Sequence, residues 1–350
     1  MKTKLFRIGS IVMLVVLILA LVVLAAGAIA KSNLAKQHPA PGQLVDVGGY
    51  KLHINCVGQG SPTVILEAGW GDYSATWAYV QPEVAKTTRV CSYDRAGYGW
   101  SEASPHPRTA SMMAEELHTL LVLANVQAPY VLVGHSLGGM IVRVYAHNYP
   151  DGVVGMVLLD SVHEEQYDRL PGAKSSISDL ARQFRMLGVL SSTGFMALAP
   201  QSIPDQGLPD EVFAINKVIW ATTGYFETAA AELSSMKEST AEVRAMRITS
   251  FGNLPLSVLS AGLYYPDPSL SEAENQKSRE EWQAMQSELV ALSSQGKQTI
   301  AEKSGHGIQL VQPDLVIDAI QEMINSIVRL DPAWRLVLAY PSQALSPAPG

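Results

Sequence analysis

One serine in this chain of 350 residues stands in a pattern suited to covalent catalysis. Residues 134–138 are Gly-His-Ser-Leu-Gly, after the apolar run 130–133 and before the helical stretch 138–148. A strand, a sharp turn and a helix in that order lift a serine hydroxyl clear of the backbone, and small flanking residues prevent a clash. The helix N-terminus would face the oxygen on which charge develops. We therefore predict that Ser136 is a nucleophile rather than part of a plain glycine-rich turn.

The general base for this serine should be a histidine late in the chain, because proteins with this motif order their triad as Ser, acid and His. Three histidines follow the motif. His147 lies three turns along the helix that starts at the serine and cannot reach back, and His163 follows the strand that ends before Asp160. His306 lies in a Ser-Gly-His-Gly turn directly after the run 298–302. A loop there can present an imidazole to the serine, so we predict His306 as the base.

Two aspartates compete for the role of the acid that orients the imidazole. Asp160 ends the apolar run 153–159, and Asp267 follows the next strand in a Tyr-Pro-Asp-Pro segment. Either strand end can carry a triad acid. The segment after Gly262 has no acid at the short spacing expected there, which favours Asp160. The other interpretations are that Asp267 is the acid, or that Asp160 only caps the following turn.

An oxyanion hole needs two backbone N–H groups about 3 Å from the charged oxygen. We expect one from Leu137, directly after the nucleophile, and the other from the loop that follows the run 63–67. That loop is Ala-Gly-Trp-Gly at 68–71, where glycine allows close approach of the backbone, and the Trp70 N–H is the natural donor. The alternative is a glycine turn that contacts no ligand.

These residues lie at the ends of elements that alternate along the chain. Short apolar runs predict strands, and stretches with helical spacing lie between them. This alternation predicts an α/β fold with a mostly parallel sheet and helices on both faces. The predicted strands are 43–47, 50–57, 63–67, 89–93, 130–133, 153–159, 254–259 and 298–302, and the predicted helices are 109–124, 138–148 and 316–328. Residues from about 163 to 250 have helical patches without a clear strand, which predicts a helical insertion.

Four segments in this order resemble those of the α/β-hydrolase superfamily, over about residues 43–330. They are residues 66–72, 94–101, 134–138 and 304–306. The second resembles the family's Asp-Arg-x-Gly-x-Gly-x-Ser turn, whose role is chiefly structural, so we do not assign catalysis to Asp94. Many members have His-Gly where this chain has Ala68-Gly69, but the backbone donor is retained. Relatives that open epoxides or displace halide have an aspartate at the nucleophile position, so Ser136 argues against both activities.

The resemblance also has implications for the insertion and for the two cysteines. In the family the position 163–250 belongs to a lid that covers the serine. The candidate lining residues of the lid are Trp220, Tyr225, Phe226, Met186 and Met196, although such residues at helical spacing are more often plain core. The family's second strand lies antiparallel beside its fourth, which would bring Cys56 near Cys91. The two form a disulfide in an oxidising compartment if their register allows it, and are otherwise unpaired.

The N-terminus carries a signal for membrane insertion or export. Residues 8–30 are uncharged and would form about 34 Å of helix, against about 30 Å of hydrocarbon in a bilayer. The basic residues Lys2, Lys4 and Arg7 precede this stretch and favour a cytoplasmic N-terminus. We predict a signal-anchor over 1–30, a linker over 31–42, a hydrolase domain over 43–330 and a proline-containing tail over 331–350. The alternative is a signal peptide cleaved after Ala-Ile-Ala at 28–30, which would release a secreted protein.

These patterns predict an exported, membrane-anchored serine hydrolase that cleaves carboxylic esters through an acyl-enzyme. Its substrate would be a small-molecule ester or acyl compound, and the reaction needs no metal or organic cofactor. The chain has no Cys/His spacing of a structural zinc site, and its net charge of −7 without a Lys/Arg block argues against a nucleic-acid partner. Two alternatives stay open. The same triad could serve amide or C–C bond hydrolysis or a lyase reaction, or the fold could be a non-catalytic binding protein.

Overall fold

The computed structural model describes residues 2–199, 207–222 and 224–330, and a single eight-stranded sheet organises them. Its strands are β1 (Gln43–Asp46), β2 (Lys51–Val57), β3 (Thr63–Glu67), β4 (Val90–Tyr93), β5 (Tyr130–His135), β6 (Val153–Leu159), β7 (Leu256–Ala261) and β8 (Gly296–Ala301). Their order across the sheet is β1-β2-β4-β3-β5-β6-β7-β8. The pairs β1–β2 and β2–β4 are antiparallel, and all other neighbours are parallel. The predicted α/β class with a mostly parallel sheet is confirmed.

The central strands are buried on both faces, which explains their sequence pattern. Every residue of β3, β4 and β5 is buried, so these strands are mostly apolar and do not alternate between apolar and polar residues. The edge strands β1 and β8 are largely exposed instead. Because the carboxyl ends of parallel strands meet at one edge of a sheet, the loops after β3, β5, β6 and β8 meet there.

Helices cover both faces of the sheet. Those of the described residues are α1 (Lys2–Gln37), α2 (Gln81–Val84), α3 (Ala110–Leu123), α4 (Leu137–Asn148), α5 (Gln166–Arg169), α6 (Ala173–Ser192), α7 (Phe195–Leu198), α8 (Asp210–Thr222), α9 (Tyr225–Met246), α10 (Glu272–Val290), α11 (Ile308–Val311) and α12 (Pro313–Leu330). Leu117 of α3, Ile141 of α4 and Leu289 of α10 belong to the core on one face. Val84 of α2 and Ile320 of α12 belong to the core on the other face. This layering encloses the sheet as predicted.

The predicted insertion is helical. Helices α5 to α9 lie between β6 and β7, and the described part of this segment contains no strand. Its longest helices, α6 and α9, pack against each other. Tyr225 and Phe226 of α9 pack with Tyr73 and Tyr98, which lie in the loops after β3 and β4. The insertion is therefore seated on the loops at the carboxyl edge of the sheet.

The N-terminal helix is longer than the sequence predicted. Its segment Phe6–Asn33 has a mean hydropathy of 3.2 and is long and apolar enough to cross a membrane. The structure corrects the start of the predicted linker over 31–42, since residues 31–37 continue α1. These residues contain no helix breaker, and the first proline is Pro39. The predicted tail over 331–350 lies outside the described residues.

Helix α10 was not predicted. Its 19 residues are mostly polar, and its buried residues are Asn275, Met285, Gln286 and Leu289, so it lacks a clear apolar stripe. A local signal was nevertheless present, because Ser271 and Glu274 form a capping box at its start. The parallel pairing of β7 with β8 also requires a crossover of this length between them.

The two cysteines lie opposite each other on neighbouring strands. Cys56 of β2 pairs in register with Cys91 of β4, and their Cα atoms are 4.0 Å apart. The two form a disulfide. The strand arrangement implied by the family resemblance therefore also holds at this pair.

Candidate active site

Ser136 lies in the turn between β5 and α4. Its backbone has φ 53° and ψ −119°, a conformation that residues with a side chain rarely adopt. The flanking positions have no room for a side chain. A Cβ on Gly134 would lie 2.5 Å from the Gly138 carbonyl oxygen, and a Cβ on Gly138 would lie 2.5 Å from the Ala68 carbonyl oxygen. The glycines thus let the turn pack tightly against the end of β3.

The structure brings Ser136, His306 and Asp160 together. His306 Nε2 is 2.9 Å from Ser136 Oγ, and His306 Nδ1 is 2.7 Å from Asp160 Oδ2. In the tautomer that fits both contacts, the serine hydroxyl donates to Nε2 and the Nδ1–H donates to the carboxylate. The other candidate acid, Asp267, is engaged elsewhere, since its Oδ1 accepts from the backbone N–H and the hydroxyl of Ser269.

Asp160 is a buried carboxylate with three hydrogen-bond donors. It directly follows β6 with a φ of 40°, and its Oδ1 accepts from Trp282 Nε1 at 2.8 Å and from the Ala261 N–H at 3.1 Å. Burial by itself would raise the pKa of Asp160. The hydrogen bond and charge of His306, together with the other two donors, outweigh burial and hold this pKa below its usual value. Asp160 is therefore ionised at neutral pH.

The imidazole of His306 is the accessible part of this arrangement, with 52% of its side chain exposed. Desolvation lowers the pKa of His306, but the hydrogen bond and charge of Asp160, and the charge of Asp72, raise it above the ordinary 6.5. Asp72 was not among the predicted site residues. It lies in the loop after β3, and burial raises its pKa to about 6. His306 is thus neutral, as a general base must be, only above its raised pKa.

The loop of the predicted oxyanion hole passes directly beside the serine. A Cβ on Gly69 would lie 3.3 Å from Ser136 Cβ. Leu137 is the first residue of α4, so its N–H has no acceptor within the helix. Among the residues that the structure describes, neither the Leu137 nor the Trp70 backbone N–H donates a hydrogen bond. Both groups are therefore available to bind an oxygen.

Arg95 fixes the peptide that carries the Trp70 N–H, and sequence reasoning missed it. Its Nη2 donates to the Gly69 carbonyl oxygen at 2.7 Å. That carbonyl belongs to the same peptide unit as the Trp70 N–H, so the bond orients this unit. The buried guanidinium also pairs with Glu67 of β3 at 2.8 Å and with Glu232 of α9 at 2.7 Å. Arg95 thereby joins the loop after β3 to the inserted helices.

The residue before Arg95 has the structural role that the family resemblance implied. Asp94 accepts hydrogen bonds from the backbone N–H groups of Ser74 and Trp100, at 2.9 and 3.0 Å. It closes the turns that follow β3 and β4. The motif therefore predicted a structural carboxylate correctly. The neighbouring Arg95 is the residue that bonds the loop after β3.

His135, the second residue of the serine motif, holds the loop of His306. Its Nε2–H donates to the His306 carbonyl oxygen at 2.9 Å, and its Nδ1 accepts from Gln309 Nε2 at 3.1 Å. Burial and the neighbouring His306 lower the pKa of His135 to about 3. His135 therefore stays neutral, and the direction of both hydrogen bonds is fixed. Sequence reasoning assigned no role to either supporting residue.

A cavity of about 330 Å³ opens beside the triad. Asp160 and His306 form part of its wall. The rest comes from the segment after β7 and from α10, including Leu263, Tyr265 and Trp282. This wall was not predicted, because α10 was not predicted.

The predicted lid residues mostly form a core. Tyr225 and Phe226 are buried in an aromatic cluster, and Trp220 and Met196 pack against it. Met186 is different, since 69% of it is exposed on α6. Met186 therefore belongs neither to this core nor to the wall of the cavity beside the triad.

One group of side chains has the composition of a metal site. His163, Glu165 and Glu288 offer ligand atoms within 4.8 Å of one another. Arg169 Nη1, however, lies 2.8 Å from Glu288 and 3.4 Å from Glu165. A guanidinium already neutralises these carboxylates, so the group is an ion-pair network on the surface. His163 Nε2 lies 3.4 Å from Glu288 within this network, whereas the imidazole that contacts the Ser136 hydroxyl is His306.

The sheet order and the surrounding helices are those of the α/β-hydrolase fold, and comparisons agree. A family model described as "alpha/beta hydrolase fold" matches residues 62–190. The "AB hydrolase superfamily protein" of Gibberella zeae is 27% identical over 290 residues, which cover 76% of this chain and 87% of the relative. The matched family model and this relative support the assignment to the α/β-hydrolase superfamily.

Two solved structures illustrate the shared fold. "Epoxide hydrolase CorEH without ligand" has a TM-score of 0.62 and 18% identity, covering 81% of this chain and 98% of that one. A thermophilic esterase from Thermogutta terrifontis has a TM-score of 0.57 and 21% identity, with coverage of 81% and 98%. At these identities the likeness establishes the fold alone.

Proposed function

We propose that this chain is a serine hydrolase that cleaves carboxylic esters through an acyl-enzyme. Ser136 is the nucleophile, His306 the general base and Asp160 the acid that orients it. The observation that carries the proposal is the hydrogen-bond chain from Ser136 Oγ through both imidazole nitrogens to Asp160 Oδ2, with contacts of 2.9 and 2.7 Å. Such a chain accepts the serine proton during attack and returns it to the leaving group.

The reaction has two halves. Ser136 Oγ attacks the ester carbonyl carbon while its proton passes to His306 Nε2, and the Leu137 and Trp70 N–H groups bind the oxyanion. When the tetrahedral intermediate collapses, the C–O bond to the alcohol breaks and the imidazolium protonates the leaving oxygen. Water then attacks the acyl-enzyme, with neutral His306 as the base, and releases the carboxylic acid and free Ser136.

A small-molecule ester suits the space beside the triad. The cavity of about 330 Å³ is at the small end of the range of roughly 300–1,000 Å³ for ligand pockets. Leu263, Tyr265 and Trp282 give it apolar and aromatic surface, and Arg279 and Gln283 add polar groups to its wall. Its volume favours an acyl or alcohol group of limited size.

The proposal includes a membrane anchor with the hydrolase domain outside the cytoplasm. Support comes from the apolar segment Phe6–Asn33, from the basic residues before it, and from the Cys56–Cys91 disulfide, which suits an oxidising compartment. The full-length protein should stay with membranes after a high-salt wash, which removes only electrostatic contacts. Mature protein that begins near Lys31 and is free in solution would show cleavage instead.

The experiment for the catalytic proposal is labelling with a fluorophosphonate probe, followed by turnover of chromogenic esters. Wild-type protein should react, and Ser136→Ala should lose both labelling and turnover. Ser92→Ala is the matched control, because Ser92 is a buried serine of β4 whose hydroxyl bonds Gln81 away from the triad. A folded wild-type protein that neither labels nor turns over esters would refute the proposal. Turnover of amides without turnover of esters would support the triad but would show that the reaction is amide hydrolysis.

A further inference from the structure

The exposed side chains on the outer face of α6 change from basic to apolar toward its C-terminus. Positions 182, 185, 186 and 189 follow the spacing of one helix face. Arg182 and Arg185 come first, and Met186 and Val189 follow toward the C-terminus, with 69% and 70% of these two residues exposed. The inner face packs on α9, where a Cβ on Gly188 would lie 2.8 Å from the Glu227 carboxyl carbon. The exposed apolar end is therefore on the side of α6 that no other described element covers.

Further exposed apolar side chains adjoin this end. Leu187 and Leu190 of α6 and Leu198 of α7 are exposed by 37%, 40% and 45%. A group of exposed apolar side chains in one region marks a site of interaction with a protein or a membrane. We refer to Met186, Leu187, Val189, Leu190 and Leu198 as the lid tip.

The lid tip is attached directly to the apolar N-terminal helix. A Cβ on Gly27 of α1 would lie 2.7 Å from Gly194 Cα, and a Cβ on Gly194 would lie 2.4 Å from Gly27 Cα. The two backbones touch at these glycines, as small residues allow in close helix packing. Gly194 lies between α6 and α7, so the contact fixes the lid tip to α1.

This contact also sets the depth of the lid tip relative to the apolar stretch 8–30. Gly27 lies three residues before the end of that stretch, which is about 4.5 Å along a helix. The large side chains of the stretch from Ile8 to Leu24 are exposed, and no element of the described residues covers them. The lid tip thus lies at the same level as the outer end of this exposed apolar surface.

We propose that the lid tip is embedded in the outer leaflet of the membrane that α1 spans, so the lid is a second, interfacial membrane contact of this protein. The inference rests on the membrane anchor of the proposed function. A lipid surface fits better than a second copy of the chain, because the lid tip is joined through Gly194 and Gly27 to an exposed apolar helix long enough to cross a membrane. Arg182 also fits lipid, because it lies one turn before Met186, where headgroups would be, whereas Arg185 reaches Ser234 of α9. Arg182 is 71% exposed on its side chain even while it donates to Asp179.

Depth-dependent quenching in vesicles tests the proposal on the full chain. Because both native cysteines are disulfide-bonded, an introduced cysteine provides the single reactive thiol for an environment-sensitive fluorophore. Met186→Cys and Val189→Cys report on the lid tip, and Leu19→Cys reports on the middle of α1. Val122→Cys, on α3 and 57% exposed, is the water-facing control. Each variant is reconstituted in phosphatidylcholine vesicles with bromine at a shallow or a deep position of the acyl chain.

Labels on the lid tip should lie about 5–10 Å into the headgroup and acyl boundary. We expect shallow bromines to quench the labels at Met186 and Val189 more strongly than deep bromines do. The label at Leu19 should show the opposite order, and the label at Val122 should not be quenched. If Leu19 is quenched while both lid labels are not, the lid contact is refuted and the anchor stands. A blue-shifted lid label without quenching indicates a protein cover and also refutes the contact. If Leu19 is not quenched, the anchor itself fails.

Discussion

Replacing Asp160 by asparagine should disable the triad through the tautomer of His306. The two carboxylate oxygens of Asp160 accept from three donors, with Trp282 Nε1 and the Ala261 N–H on Oδ1 and the His306 Nδ1–H on Oδ2. Asparagine has one oxygen and one NH₂ group. If the oxygen stays on the side of Trp282 and Ala261, the NH₂ group faces His306 Nδ1 and makes it an acceptor. The imidazole proton then moves to Nε2, which can no longer accept the proton of the serine.

The opposite orientation of the asparagine is the costlier one. It would set an NH₂ group against two N–H donors in a buried site, and each unsatisfied buried donor costs about 1–3 kcal/mol. The wrong tautomer is therefore favoured. The expected loss in kcat is about 10⁴-fold, the scale of effect for a triad histidine held in the wrong tautomer. At about 1.36 kcal/mol for each factor of ten, this loss is about 5.4 kcal/mol of barrier.

Asp267→Asn is the matched control, since it makes the same chemical change at a carboxylate whose Oδ1 binds only Ser269. Ester turnover should be measured for both variants across a range of pH, with circular dichroism to check the fold. Asp267→Asn should keep near-normal turnover. The reasoning is refuted if Asp267→Asn loses more activity than Asp160→Asn, or if folded Asp160→Asn loses less than about tenfold, since a tautomer exchange must cost far more.

Three further predictions follow from the same contacts. The acid limb of kcat/KM should have an apparent pKa above 6.5, since the buried carboxylate stabilises the imidazolium of His306 against the opposing desolvation, and a limb at or below 6.5 would contradict this. Trp282→Phe should lower kcat/KM by roughly tenfold or more, because a hydrogen bond to a charged group is worth about 1.5–3 kcal/mol. Trp220→Phe makes the same change at an indole N–H that has no partner among the described residues and should have little effect, so equal losses would show that the hydrogen bond is not responsible. Denatured, unreduced protein should show no free thiol, and reduction of Cys56–Cys91, a separation of 35 residues, should lower the free energy of unfolding by about 4 kcal/mol. Two free thiols before reduction would exclude the bond.

The fold could be predicted from the sequence where burial imposes a pattern. Strands β3 and β6 have the bounds that the apolar runs predicted, because strands covered on both faces must be apolar throughout. Helix α10 was not predicted because it packs with few apolar residues, and two of its buried side chains, Asn275 and Gln286, are polar. The prediction placed the N-terminal helix correctly but ended it too early. Polar residues do not stop a helix unless a breaker follows.

The site could be predicted only as far as it is built from strand ends. Ser136 and Asp160 follow neighbouring parallel strands, and His306 follows a third, so chain order alone brings them to one edge of the sheet. Residues that hold these three come instead from elements whose packing is not local. Trp282 reaches Asp160 across 122 positions of sequence. Gln309 reaches His135 across 174 positions. The choice between two candidate acids depended on such a residue, because an aspartate becomes a buried, oriented carboxylate only where another element supplies its donors. A sequence pattern can therefore identify candidate reactive groups, while the tertiary packing decides which of them are brought together.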